Sequence, residues 1–160
     1  MPVARPSAST AVRSISIPFT GGWRPQPIVK LQQRATGVEV YWINVHFSAR
    51  RANQADRDKA MKILLKAIGQ LKGDGLPILL TGDFNEIAPA FCAITGKTPL
   101  EAAMGGSNVD GRCVLPKGAR IDWIFGSKGT FSRVLMDHSA QVRRTTDHHV
   151  PSAVFAPGAP

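Results

Sequence analysis

Leu76-Pro77-Ile78-Leu79-Leu80-Thr81-Gly82-Asp83-Phe84-Asn85-Glu86 carries the fold and the chemistry together. The apolar run Leu76–Leu80 reads as a buried strand entered through a proline. The strand ends at Asp83 and Asn85, which flank Phe84. Side chains on a strand alternate between faces. Asp83 and Asn85 are therefore expected to enter a cleft together while Phe84 turns back into the core. A carboxylate beside a carboxamide suits the handling of water, metal and phosphate. A strand followed by an Asx-type turn accounts for the same residues, so the reading depends on other segments.

Upstream, Gln54 to Lys72 repeats apolar residues at helical spacing: Ala60, Met61, Leu64, Leu65, Ile68 and Leu71 make one stripe. Asn53 is the expected N-cap and Gly73 the expected stop. Lys59, Lys62 and Lys66 lie on the other side and read as a solvated face. Ile28–Arg34 and Val38–His46 read as strands joined into an antiparallel hairpin by Ala35-Thr36-Gly37. The second is apolar at successive positions and is expected to be covered on both faces. Val12–Phe19 alternates and reads as a strand. Trp23-Arg24-Pro25-Gln26-Pro27 reads as a loop. Downstream, a short helix is expected near Pro99–Met104, and strands at Ile121–Phe125, Phe131–Met136 and Val150–Phe155. The mixture indicates α/β or α+β layers. Residues 1–11 and 157–160 read as tails, with one domain over 12–156.

The chain has 160 residues, 43% of them hydrophobic, enough for one domain with a real core. Its 20 lysines and arginines against 11 acids give a net charge of +9. Such a surface favours polyanions: nucleic acid, phosphorylated small molecules or anionic headgroups. Cys92 and Cys113 form no zinc spacing, and reduced thiols are the default, although a bond between them is compatible with the sequence. No run is apolar enough to span a membrane and no secretory signal is recognisable. The expected location is the cytoplasm.

Three other polar groups punctuate the chain. Asn44-Val45-His46 closes a strand, so Asn44 and His46 share a face. Ile121-Asp122-Trp123-Ile124-Phe125 sets an acid inside an apolar strand, and a buried acid needs a partner. A histidine or the adjacent Arg120 would serve. Thr146-Asp147-His148-His149 precedes the last strand. With four histidines in the chain and His138 isolated, a zinc site is disfavoured. The chain holds no GxSxG element and no P-loop.

In this order, Asn44-Val45-His46, Gly82-Asp83-Phe84-Asn85, Ile121–Phe125 and Thr146-Asp147-His148 resemble the endonuclease/exonuclease/phosphatase superfamily. The Gly-Asp-Phe-Asn and Asp-His elements are the specific ones. The resemblance runs from about Val12 to Phe155. It implies a deoxyribonuclease-like α/β fold, two sheets face to face with helices outside. It also implies Mg²⁺-dependent cleavage of phosphoester bonds, with Mn²⁺ as a possible substitute, and DNA, RNA or a phosphorylated small molecule as substrate. On this resemblance His46 contacts the scissile phosphate. Asp83 orients or deprotonates water, and Asn85 holds water or phosphate. Asp122 orients His148, and Asp147 helps hold the metal.

One departure is large. The family's opening strand with a polar end, and its metal-binding glutamate, are not recognisable. Glu39 is the only acid before His46, and it stands ~23 Å away along the same strand. The chain therefore reads as a family domain truncated at its N-terminus, whether by a misplaced start, as a true short form, or with a partner supplying the rest. Three readings follow: a phosphodiesterase of nuclease type, a non-catalytic fragment that grips polyanions, or half of an assembly that self-associates through an uncovered sheet.

Overall fold

A parallel strand–helix–strand crossover organises the chain. The computed structural model describes residues 12–158. In chain order it runs β1 (Val12–Phe19), β2 (Gly22–Gln32), β3 (Glu39–His46), α1 (Gln54–Lys72), β4 (Ile78–Asp83), α2 (Ala88–Lys97), β5 (Glu101–Ala102), β6 (Ser107–Val109), β7 (Arg112–Val114), β8 (Asp122–Gly126), β9 (Gly129–Asp137), α3 (Ala140–Arg143) and β10 (Val150–Pro157). Six strands form one mixed sheet in the order β1-β2-β3-β4-β8-β5, and β9–β10 and β6–β7 form two-stranded sheets. The fold is α/β. The tail expected at 1–11 lies outside the described residues. Of the one expected at 157–160, Pro157 closes β10 and Gly158 donates its N–H to the Lys128 carbonyl at 2.6 Å.

Helix α1 crosses from β3 to β4 and closes one face of the large sheet. Ala60, Met61, Leu64, Ala67, Ile68 and Leu71 are buried against Ile17, Ile28, Ile43, Val45, Ile78, Leu80 and Phe125. Lys59, Lys62 and Lys66 are exposed. Asn53 precedes the helix without capping it, because its side chain donates instead to the Ala49 carbonyl at 2.7 Å.

Several expectations change. β3 is closed along one face, by Tyr41, Ile43 and Val45; on the other Val40 is buried, but Trp42 is 37% exposed and Asn44 and His46 face solvent. Its apolar run reflects one packed face plus an indole whose Nε1 donates to Thr81 Oγ1 at 2.9 Å. Trp23–Pro27 is strand rather than loop. Pro25 and Pro27 pair with β1 alone, since β2 meets β3 only from Ile28 onward, so their missing N–H groups take nothing from the second ladder. The helix expected at Pro99–Met104 lies earlier, at Ala88–Lys97. Pro89 opens it, where an absent N–H costs nothing, and Glu101–Ala102 pairs with β8 instead. β4 begins two residues later than read, at Ile78, and extends to Asp83.

The thiols are not free. Cys92 of α2 is bonded to Cys113 of β7, which ties the β6–β7 hairpin to the helix. A separation of 21 residues carries no pairing signal in the sequence; the packing of the hairpin on α2 creates it. No helix among the described residues is long and apolar enough to cross a membrane.

Candidate active site

Two strands end and a third begins level with one another at one edge of the large sheet. β3 and β4 run parallel with His46 opposite Asp83, and β4 and β8 run antiparallel with Asp83 opposite Asp122. A cross-strand row His46–Asp83–Asp122 results. The row borders a cleft of about 370 Å³ lined also by Asn44, Thr81, Ile124 and Pro151.

Asp83 is held by its neighbour. Its Oδ1 accepts from the Asn85 backbone N–H at 2.7 Å and its Oδ2 from Asn85 Nδ2 at 3.1 Å. Asn85 sits in the left-handed region at φ 50°, which asparagine tolerates better than most residues, and its Nδ2 also donates to the Phe47 carbonyl at 2.9 Å. The Asx turn and the site are thus one structure. Phe84 between them is fully buried, its ring 5.2 Å from Phe47 and 5.8 Å from Phe125.

His46 is clamped by groups of β2, within the segment expected as a loop. Arg24 Nη1 lies 3.2 Å from His46 Nδ1. Arginine only donates, so Nδ1 accepts and the ring carries its proton on Nε2, 3.6 Å from Asp83 Oδ2. Gln26, 3% exposed, accepts the His46 backbone N–H on Oε1 at 2.8 Å. The missed signal was inward alternation at Gln26 and Ile28, hidden by the two prolines.

Asp122 finds its partner in His148, with Nδ1 2.7 Å from Asp122 Oδ2. Arg120 turns to the Ala119 carbonyl. Partial burial lifts Asp122 above the ordinary carboxylate value, against the pull of its bond to His148. That same bond lifts His148 above the ordinary 6.5, against burial. The part of stability contributed by a raised histidine is present below 6.5 and is lost as pH rises through the folded value. The His148 side chain is 35% exposed, so water screens the pair and this contribution is small. In an NMR titration His148 is expected to have a midpoint above 6.5 that falls in Asp122→Asn. An unchanged midpoint in the variant would remove the bond as the cause.

One ligand atom each from Asp83, Asp122 and His148 lies within 4.8 Å of the others, so the three could share a divalent cation. A hard cation prefers oxygen and retains water. The two carboxylates suit it better than the imidazole does. Asp147 is exposed beside His148 and lines an adjoining hollow of about 270 Å³ with Arg120 and Asp122. Glu39 is spent on Lys30 at 3.1 Å and Glu86 on Arg57 at 3.0 Å. Asn44 stays on the open face, accepting from Thr81 Oγ1 at 2.9 Å.

No family model and no curated protein matches the sequence significantly. Solved structures do match the fold. The human Nocturnin catalytic domain, with a bound sulfate anion, superposes with a TM-score of 0.63 at 20% identity, covering 91% of this chain and 58% of its own. A humanised D. rerio TDP2 gives 0.60 at 18% identity, covering 82% and 58%. A mannosyl-6-phosphatase of Bacteroides thetaiotaomicron gives 0.52 at 19%, covering 85% and 54%. The chain spans a little over half the length of each of these, and its fold is that of the endonuclease/exonuclease/phosphatase proteins.

Proposed function

We propose that this chain, built on the endonuclease/exonuclease/phosphatase fold, carries the phosphate-handling edge of a metal-dependent phosphoester hydrolase of nuclease type. The row His46–Asp83–Asp122 in strand register, with His148 bonded to Asp122, supports this reading above all. Two neighbours point the same way: one holds a tetrahedral anion and one is named a phosphatase.

Hydrolysis of a phosphoester requires water to attack phosphorus while the P–O bond to the leaving group breaks. The attacking water gives up a proton and the leaving oxygen gains one. Asp83, fixed at both oxygens by Asn85, would orient that water and accept its proton. His148, oriented by the bond from its Nδ1 to Asp122, which also raises its pKa, would turn Nε2 toward a phosphate oxygen. His46 offers Nε2–H from the other side, with Arg24 adding a fixed positive charge. Preorganised donors of this kind are a large part of such catalysis. Mg²⁺ or Mn²⁺ would rest on the carboxylates of Asp83 and Asp122, with Asp147 alongside, and would supply charge neutralisation at the phosphoryl oxygens.

The test is hydrolysis of a chromogenic phosphodiester and of a labelled oligonucleotide with Mg²⁺ or Mn²⁺. Asp83→Ala and His148→Ala are each expected to lower the rate about a hundredfold, as loss of a general base or a charge partner does. Turnover that both variants retain in full would remove these roles. Binding of the oligonucleotide without turnover, weakening steeply with salt, would favour the alternative of a basic module that grips nucleic acid.

A further inference from the structure

The tip of the β1–β2 hairpin is an aromatic and cationic cluster of which the roles above use Arg24 alone. Phe19 pairs with Gly22, and Thr20-Gly21 make the two-residue turn with φ of 44° and 80°. Positive φ at both turn residues is the tight hairpin geometry that matches strand twist. The Thr20 N–H donates to Ser48 Oγ at 3.0 Å, which docks the tip on the connection between β3 and α1. The tip is thus a fixed platform.

Trp23 stands on it with 58% of its surface exposed. Lys59 Nζ lies 4.6 Å from the indole centroid. Arg24 lies 4.4 Å from the Phe19 ring centroid, and its Nη1 meets His46 Nδ1. Exposed Arg50 and Arg51 follow Ser48 in the connection to α1. A lone exposed tryptophan needs no explanation. This one carries the Lys59 ammonium over its ring, and the next residue of the same strand, Arg24, reaches His46.

We propose that the hairpin tip is a nucleotide-gripping platform: a nucleobase next to the scissile phosphate stacks on Trp23, while Arg24 and Lys59 take flanking phosphates. The inference rests on the phosphoester reading for the placement of that phosphate and deepens it by naming single-stranded nucleic acid as the occupant. The chemistry selects it. Alternating π-faces and phosphates match an indole set among cations. A phosphorylated sugar has no π-face. A lipid surface calls for a contiguous apolar patch, and Trp23 instead carries the Lys59 ammonium over its ring. A closed duplex hides its bases.

Binding is measured in chelator, by anisotropy, with a labelled oligothymidylate of about ten nucleotides and an abasic strand of equal length and charge. Trp23→Ala is expected to weaken the oligothymidylate about tenfold, the scale of one lost base stack, and to leave the abasic strand unchanged. Trp23→Phe should retain most of the affinity. Lys59→Ala should weaken both strands. A thermal melt of Trp23→Ala matching the wild type excludes misfolding. If Trp23→Ala weakens both strands equally, or neither, the platform is wrong. Chelated binding requires no turnover, so a selective loss stands even if the hydrolysis test fails. Hydrolysis that depends on His148, with Trp23→Ala binding like the wild type, removes the platform alone.

Discussion

Gly82→Ala is expected to abolish stable folding. Gly82 has φ 145°, and a Cβ there would lie 2.0 Å from the Val45 carbonyl oxygen and 2.8 Å from the Val45 nitrogen and carbonyl carbon. That backbone region is accessible essentially to glycine alone. The obstructing atoms are main chain, so no rotamer change relieves them. Val45 is the parallel partner of Gly82 in the middle of the sheet, and relief means parting β3 from β4. The expected loss exceeds about 4 kcal/mol, against a total stability of about 5–15 kcal/mol for a domain. Urea denaturation followed by circular dichroism reads it, with soluble yield as a second measure. Gly37→Ala is the control. It also has positive φ but nothing within 4 Å, and should lose only about 1–2 kcal/mol. A Gly82→Ala protein as stable as Gly37→Ala would refute the close approach of the strands. Because Gly82 precedes Asp83, the same contact fixes how far β4 carries its carboxylate past His46.

Arg57→Ala is expected to be nearly as damaging, through charge rather than shape. Arg57 is 5% exposed. It donates to Glu86 Oε1 at 3.0 Å, to the Ser48 and Arg50 carbonyls at 2.9 and 2.7 Å, and to Gln54 Oε1 at 2.7 Å. Removing it takes the charge partner from the Glu86 carboxylate, which keeps only Gln54 Nε2, and leaves the buried Ser48 carbonyl without its donor, while the Arg50 carbonyl still accepts from the Asn53 N–H. Breaking a buried pair from one side costs about 3–5 kcal/mol. Lysine is a poor substitute, since one ammonium cannot reproduce the planar fork. The double variant Arg57→Met/Glu86→Leu should recover part of the loss, because neither charge is then left alone. Denaturation curves for the single and double variants decide the matter. A double variant no more stable than Arg57→Ala would mean that the carbonyl bonds, rather than the ion pair, carry the effect. Arg57 joins α1 to the segments that follow His46 and Asp83, so it also holds the two sides of the candidate site together.

Parts of this architecture were legible because they are local. The bounds of β1 and α1 follow from periods that neighbouring residues write into the chain. The alternation Asp83, Phe84, Asn85 foretold that the aromatic ring would be buried. Proline is ambiguous: Pro25 and Pro27 stand in a strand segment that pairs on one side only, and Pro89 stands at a helix start rather than in a loop. The signal for Arg57 lies in phase rather than in charge: it stands three and four residues before Ala60 and Met61, on the buried stripe, while Lys59, Lys62 and Lys66 fall off it.

The sequence by itself determined the strand endings and the donor types that stand at them. Tertiary structure alone decided the register that sets His46, Asp83 and Asp122 abreast, the approach of Arg24 to His46, the closure of one face of β3 and not the other, and the bond between Cys92 and Cys113. The reason is one of range. A period is fixed by residues a few positions apart, whereas a register or a disulfide depends on which distant strand arrives alongside, and the packing of the whole chain settles that.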